Sequence, residues 1–452
     1  MQGIRDLTSG SIGSRLFNLA MPIMGTSFIQ MAYNLVDMAW IGRLGSEAVA
    51  AVGAVGILVW MTSSAAMLSK VGAEVSVGQS IGARNMDDAR LFASHNATIG
   101  LILSAVLGSA MYILAPYIIG FYKLEPSITS EAVGFLRILT AGFPFVFLTY
   151  TFTGIHNAAG RSRIPFFVNG AGLLLNMSLD PLFIFVFGWG TAGAAFATCI
   201  SQGAVCLLFV YHLRRRSRLL GGFPFLVRLE RRYAGRIFRL GLPVAILNML
   251  FALINFCMGR TASLRGGHIG LMTLTAGGQI EALSWNTSQG FSTALSAFIA
   301  QNYASGRNDR VKGAYRATLR MTSVLGVFCT FLFFFYGREI FALLVPEREA
   351  YLSGGVFLKI EAYSMLFMML EITAQGFFYG VGRTTAPAVI SIGFNLVRIP
   401  LAVILSATSL GMTGIWWAIS LTSIAKGVTA FIWLKLLRRK VMSRTYEGDM
   451  RS

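Results

Sequence analysis

Charge is scarce in this sequence. Only 13% of its 452 residues are Asp, Glu, Lys or Arg, about half of what a water-soluble globular domain carries, which argues against a fold with a solvated surface. Cysteine is scarce as well: Cys199, Cys206, Cys257 and Cys329 share no CxxC spacing and fall inside apolar stretches. They read as buried thiols, not as a disulfide framework or a metal ribbon. The four histidines, His95, His156, His212 and His268, form no zinc pattern, and no G-x-x-x-x-G-K-[ST] phosphate loop occurs. Direct ATP hydrolysis by this chain is therefore not expected, and neither is a bound cofactor. What the chain does have is 55% apolar residues gathered in long runs such as Leu101 to Ile119, Phe166 to Phe187 and Met321 to Phe335.

A bilayer span needs about 20 apolar residues. Twelve candidates follow along the chain, at 14–41, 48–78, 91–117, 128–155, 164–188, 191–213, 236–260, 270–302, 313–337, 352–380, 385–407 and 412–437. Several are long enough to require tilt, kinking or extension beyond the membrane. The expected fold class is all-α: a polytopic membrane protein of twelve transmembrane helices. The first apolar stretch continues through Tyr33 to Trp40 without a short hydrophobic region and cleavage site, so it is expected to be the first span and not a cleavable signal.

A net charge of +19 invites a nucleic-acid reading, but the basic residues crowd one set of alternate loops, most densely at Arg214, Arg215, Arg216 and Arg218. That asymmetry is the positive-inside pattern. It places both termini in the cytoplasm, with the protein in the cell membrane (the inner membrane where a cell has two), and leaves no call for a nucleic-acid partner.

The chain repeats itself at an offset near 221 residues. Leu16-Phe17-Asn18-Leu19-Ala20-Met21-Pro22 matches Ile237-Phe238-Arg239-Leu240-Gly241-Leu242-Pro243. Gln79 through Gly82-Ala83-Arg84-Asn85 matches Gln301 through Ser305-Gly306-Arg307-Asn308. Gly160-Arg161 with Pro165 matches Gly382-Arg383 with Pro387, and Asn176-x-x-x-Asp180-Pro181 matches Asn395-x-x-x-Ile399-Pro400. Six spans per half means that both halves enter the membrane in the same orientation, as parallel repeats about an axis along the membrane normal. Transporters use this plan to rock two lobes around a shared cavity. The expected lobes are 1–218 and 219–452, joined by a basic cytoplasmic linker at about 214–239 in which Gly221, Gly222 and Pro224 act as breakers.

An ionisable group inside a span is a functional candidate by default. Asp37 lies in span 1 one turn after Tyr33. Asn176 and Asp180, at i and i+4 in span 5, share a helix face, and Pro181 removes the bond expected by the Met177 carbonyl, so the helix should bend there. Thr198 in span 6 adds a hydroxyl. Two carboxylates, an amide oxygen and a hydroxyl make a hard-cation cage with sodium as one candidate, and equally a proton site, since burial and mutual repulsion both favour neutralisation. The second half has Ile399 where the first has Asp180, so the acid is not required to fold the repeat; a purely structural pairing of Asp180 is the alternative.

Glu281, Glu361 and Glu371 either face a cavity in the second lobe or pair with Lys359 and Arg398 to hold that lobe together. Lys70, Glu74 and Lys426 are expected near cytoplasmic helix ends, with long side chains reaching water. Arg137 in span 4 has no evident partner in sequence. The 20 Met and 35 Phe residues are mostly packing and lipid-facing, but Met31, Tyr33, Asn34 and Phe147, with Glu281 and Glu371, are candidates for a cavity that takes apolar cations.

The sequence resembles the multidrug and toxic compound extrusion (MATE) family. The resemblance is carried by Asn34-Leu35-Val36-Asp37 with Ile41-Gly42-Arg43-Leu44-Gly45, by the Gly160-Arg161 to Pro165 connector, by Asn176 through Phe185, and by Gly190 through Thr198. It covers both halves, from about Ser14 to Leu437. It implies two six-helix lobes and exchange of organic cations for protons or sodium. Asp37, Asn176, Asp180 and Thr198 resemble the DinF-like branch, whose coupling site lies in the first lobe. Relatives of the NorM type use acids in spans 7 and 10, and here span 7 has none although span 10 carries Glu361 and Glu371.

The function expected is a secondary antiporter, working as a monomer on small organic substrates, with no enzymatic step. A lipid-linked precursor flippase, favoured if Arg137, Arg260 and Arg398 line a cationic cavity, is the nearest alternative; a membrane-embedded enzyme using Asp37 and Asp180 as acid and base is a more distant one. Substrate identity leaves no short motif in the chain.

Overall fold

Apolar runs of this length fold as helices because hydrocarbon offers backbone N–H and C=O groups no partner but each other. The computed structural model describes residues 6–120, 125–216, 219–345 and 347–442. Arg218 of the basic run, and the chain ends 1–5 and 443–452 assigned above to the cytoplasm, lie outside them.

Eleven long α-helices follow in order: α1 (Ile12–Gly42), α2 (Ser46–Gly82), α3 (Met86–Gly120), α4 (Pro126–Ala158), α5 (Arg163–Pro181), α6 (Gly190–Tyr211), α7 (Arg231–Ala304), α8 (Asn308–Leu344), α9 (Arg348–Gly380), α10 (Thr385–Ser406) and α11 (Thr413–Met442). The 74 residues of α7 are two helices joined at Gly267, whose φ of 57° and ψ of −145° lie outside helical space. The arms 231–266 and 268–304 are the seventh and eighth expected spans, so twelve long α-helical segments result among the described residues.

Nine helices among the described residues are long and apolar enough to cross a membrane. α1, the second arm of α7 and α9 fall outside the nine, and these three carry Asp37, Glu281 and Glu361 with Glu371. Polar groups lower the hydropathy of the segments that hold them. The chain is a multi-pass membrane protein.

The internal repeat recurs in the backbone. After α4, Gly160 N–H donates to the Asn157 carbonyl and Arg161 N–H to His156; after α9, Gly382 N–H donates to Tyr379 and Arg383 N–H to Phe378. Gly160 and Gly382 have φ of 73° and 80°, the left-handed cap in which glycine is favoured.

Two compact units result. One gathers residues 6–9 and Met21–Ile246, the other Gly10–Ala20 and the residues from Leu247 onward. The segment 222–230 has no regular secondary structure, and α7 begins at Arg231. This linker is fastened to the first unit: Thr98 Oγ1 donates to the Phe225 carbonyl and accepts from Val227 N–H, and Glu230 N–H donates to His95 Nε2 at 3.1 Å. The Tyr233 hydroxyl donates to Asp88 at 2.8 Å, and Ile237 is fully buried in the first unit's core beside Leu68 and Phe92.

Helices within each unit approach at small residues, as membrane helices do when no apolar driving force separates helix from lipid. In the first unit a β-carbon on Gly154 of α4 would overlap the Lys70 carbonyl of α2, one on Gly172 of α5 would overlap Val205 of α6, and one on Gly25 of α1 would press on the Phe166 ring of α5. These contacts set α1, α5 and α6 close together. In the second unit Gly376 of α9 meets Ser292 of α7, and Gly427 of α11 meets the Phe367 backbone of α9.

Candidate functional site

The close approach of α1, α5 and α6 brings Asp37, Asn176, Asp180, Thr198 and Tyr33 together. Asn176 and Asp180 are fully buried. Asn176 Nδ2 donates to Asp180 Oδ1 at 3.2 Å, the i,i+4 contact their spacing dictates. Across the helices the carboxyls of Asp37 and Asp180 lie within electrostatic reach of each other, and Thr198 Oγ1 lies 3.5 Å from Asp37 Oδ2 as donor. The Tyr33 hydroxyl, one turn before Asp37, approaches Ser201 of α6, although neither oxygen reaches a well-aligned hydrogen bond.

The oxygens left over define the site. Asp37 Oδ1, Asp180 Oδ2, Asn176 Oδ1, Tyr33 Oη and Ser201 Oγ are all buried without a hydrogen-bond partner among the described residues. Buried polar atoms are ordinarily paired, so a group of orphaned oxygens around two acids is a place shaped for a proton or a hard cation. The set is all oxygen, which suits sodium and not a soft transition metal.

Pro181 has the local effect foreseen. α5 ends there and the chain continues as a π-helical turn over Leu182–Val186, with Phe187 N–H donating to Leu182 at 2.9 Å. Loss of the proline donor shifts the ladder by one residue instead of breaking it, directly after Asp180. Such turns cluster at functional positions.

The cavity candidates separate. Asn34 is exposed and Met31 half-buried on α1, whereas Phe147 is fully buried, packed on α3 at Gly100; it is core, not cavity wall. Glu281 and Glu371 belong to a different constellation in the second unit.

There, Glu371 of α9 pairs with Lys426 of α11 at 3.3 Å and accepts from Ser391 at 2.6 Å and Gln375 at 3.1 Å. Arg398 of α10 donates to Thr422 and Ser423 at 2.9 and 3.0 Å and lies within electrostatic reach of Glu361, Glu281 and Glu371. Glu361 accepts from Ser364 at 2.8 Å through Oε2, while its Oε1 is buried without a partner among the described residues. Three acids and two bases thus share one interior, with one negative charge in excess when all are ionised.

Several expectations change. Lys426 does not reach water: it is 8% exposed and salt-bridged, because α11 turns that face toward α9. Glu74 is 5% exposed, and the Lys70 ammonium sits over the Tyr150 ring at 5.8 Å. Lys359 makes no ion pair with a glutamate among the described residues; it is exposed and stacks on Phe334 at 4.9 Å. Arg137 stacks over Tyr112 at 5.1 Å. Sequence reasoning missed Ser201 and Lys426. Ser201, at i+3 from Thr198, shares its helix face and was findable; Lys426 was not, since a lone lysine in a span does not announce which helix it faces.

The comparisons with known proteins bear on the family and the fold. The MatE family model matches residues 22–182 and 243–404, one match per repeat. The chain is 27% identical over 420 residues to the "Probable multidrug resistance protein NorM" of Thermotoga maritima, covering 90% of this chain and 88% of that one. It is 26% identical over 442 residues to the "Probable multidrug resistance protein YpnP" of Bacillus subtilis, covering 97% and 98%. Among solved structures, a crystal structure of MATE in complex with MaL6 superposes with a TM-score of 0.91 at 22% identity, covering 97% of this chain and 99% of that one. With both repeats matched by its family model and the fold reproduced end to end, this chain belongs to the MatE family.

Proposed function

We propose that this protein is a secondary active antiporter that exports small organic, cationic compounds in exchange for protons or sodium ions by alternating access. One observation carries the coupling step: the orphaned buried oxygens on Asp37, Asp180 and Asn176, with the two acids in electrostatic reach of each other. Two ionised carboxylates about 4 Å apart repel by roughly 4 kcal/mol at an effective dielectric near 20. A proton or a sodium ion between them removes that repulsion and satisfies the orphaned oxygens. Because Asp37 lies on α1 and Asp180 on α5, loading the site draws the two helices together and emptying it lets them part. Ion binding thereby favours one arrangement of α1, which an ion of equal affinity for both arrangements would not do. Asn34 and Met31 lie on α1 within a turn of Tyr33, so the same movement reshapes the surface offered to substrate.

Localisation in the cell membrane with both termini cytoplasmic, function as a monomer, and no nucleic-acid partner complete the proposal. The two relatives, both named as probable multidrug resistance proteins, support the substrate class. The second-unit cluster, with its orphaned Glu361 oxygen and surplus negative charge, favours a second cation site as an additional reading. A lipid-linked precursor flippase is less well supported, since Arg398 is committed to Thr422, Ser423 and the neighbouring acids.

The test is reconstitution into vesicles with separately imposed proton and sodium gradients, following a cationic dye. Dye movement driven by either gradient is expected; dye movement indifferent to both gradients defeats the proposal.

A further inference from the structure

Neither acid cluster uses Arg137 of α4. Its guanidinium lies over the Tyr112 ring and its Nε donates to the Tyr112 carbonyl at 3.4 Å. Among the described residues no carboxylate lies within ion-pair distance of it. Glu131, the acid of the same helix, accepts from Thr191 of α6 at 2.6 Å.

Arg137 lines a groove between α3 and α4 with a volume of about 390 Å³, together with Ala105, Gly108, Ser109, Tyr112 and Ala141. Gly108 is buried against the Thr140 carbonyl of α4, while the exposed small residues Ala105, Ser109 and Ala141 leave room for an extended chain. The groove opens on an apolar face: Val106, Ile113 and Tyr117 of α3 are 60%, 66% and 78% exposed. In a membrane protein such a face meets lipid.

Depth follows from helix geometry. α4 has 33 residues, hence a length of about 50 Å, against a hydrocarbon core of about 30 Å. A centred helix extends about 10 Å beyond the core at each end. Arg137 lies roughly 16 Å from the Pro126 end, so its α-carbon is about 6 Å inside the core, and its side chain reaches the headgroup boundary by snorkelling. Exposed Tyr117 and Trp189 mark that boundary at the same end of the unit, as interfacial aromatics do.

A guanidinium facing hydrocarbon is costly unless an anion meets it, and its planar fork matches phosphate oxygens. We propose that the α3–α4 groove binds an anionic phospholipid from the adjacent leaflet, its phosphate on Arg137 and the start of one acyl chain along Ala105, Ser109 and Ala141.

Native mass spectrometry of the purified, delipidated full chain, titrated with phosphatidylglycerol, phosphatidylcholine or inorganic phosphate, tests this. Wild type is expected to bind one phosphatidylglycerol about tenfold more tightly than Arg137→Gln, the loss of a charge-assisted bond. Ala141→Trp, which fills the groove and keeps the guanidinium, is expected to lose the same lipid, whereas Arg215→Gln in the exposed basic stretch keeps it. Should Arg137→Gln fail to fold, Ala141→Trp decides alone. Equal phosphatidylglycerol binding by wild type and Ala141→Trp overturns the proposal. So does phosphatidylcholine binding as tightly as phosphatidylglycerol, or displacement of the lipid by inorganic phosphate alone.

Discussion

Asp180→Asn probes the ion site with almost no change of shape. The amide fills the space of the carboxyl and still accepts from Asn176 Nδ2, now 3.2 Å from Asp180 Oδ1, while its NH2 faces the Asp37 carboxylate with a donor in place of a like charge. What disappears is the like-charge repulsion of roughly 4 kcal/mol at an effective dielectric near 20, and with it the reason for the site to take up an ion. Neutralising that repulsion is worth about three decades of ion affinity at 1.4 kcal/mol per decade. Partial access of solvent to Asp37, which is half-buried, reduces the expectation to about two decades. The variant should therefore keep or slightly raise its melting temperature in detergent, because a repulsive pair has become an attractive one. In vesicles it should require on the order of a hundredfold higher ion concentration for half-maximal dye exchange, or fail to couple at all. Dye exchange at the wild-type rate and with wild-type ion dependence, in a variant that folds normally, would refute the assignment of Asp180 to coupling.

Lys426→Met leaves Glu371 charged and buried without the ammonium now 3.3 Å away, and a broken buried pair costs about 3–5 kcal/mol; the melting temperature should fall steeply and be substantially restored by adding Glu371→Gln. Gly154→Ala places a β-carbon on the Lys70 carbonyl and forces α2 and α4 apart at a cost of about 1–3 kcal/mol, so a lower melting temperature is expected, and an unchanged one would show that the helices yield freely there.

The sequence by itself determined a great deal. Apolar runs separated by short polar connectors fixed the helices, since hydrocarbon permits no other backbone solution for them, and the repeated Gly-Arg and Asn-x-x-x-x-Pro patterns fixed two like halves. The Asn176–Asp180 contact was legible because i,i+4 spacing alone places both side chains on one face, and Pro181 announced an irregular turn because a missing donor is a property of the residue. Which helices meet was decided only by the tertiary structure. Asp37 and Asp180 are 143 positions apart, and nothing local states that α1 packs on α5; that contact follows from where small residues such as Gly25 and Gly172 let neighbouring chains come close. Lys426, read as a helix-end lysine, became the partner of Glu371, and Phe147, read as cavity wall, became core, because the periodicity of a helix tells which residues share a face but not which face another helix will cover.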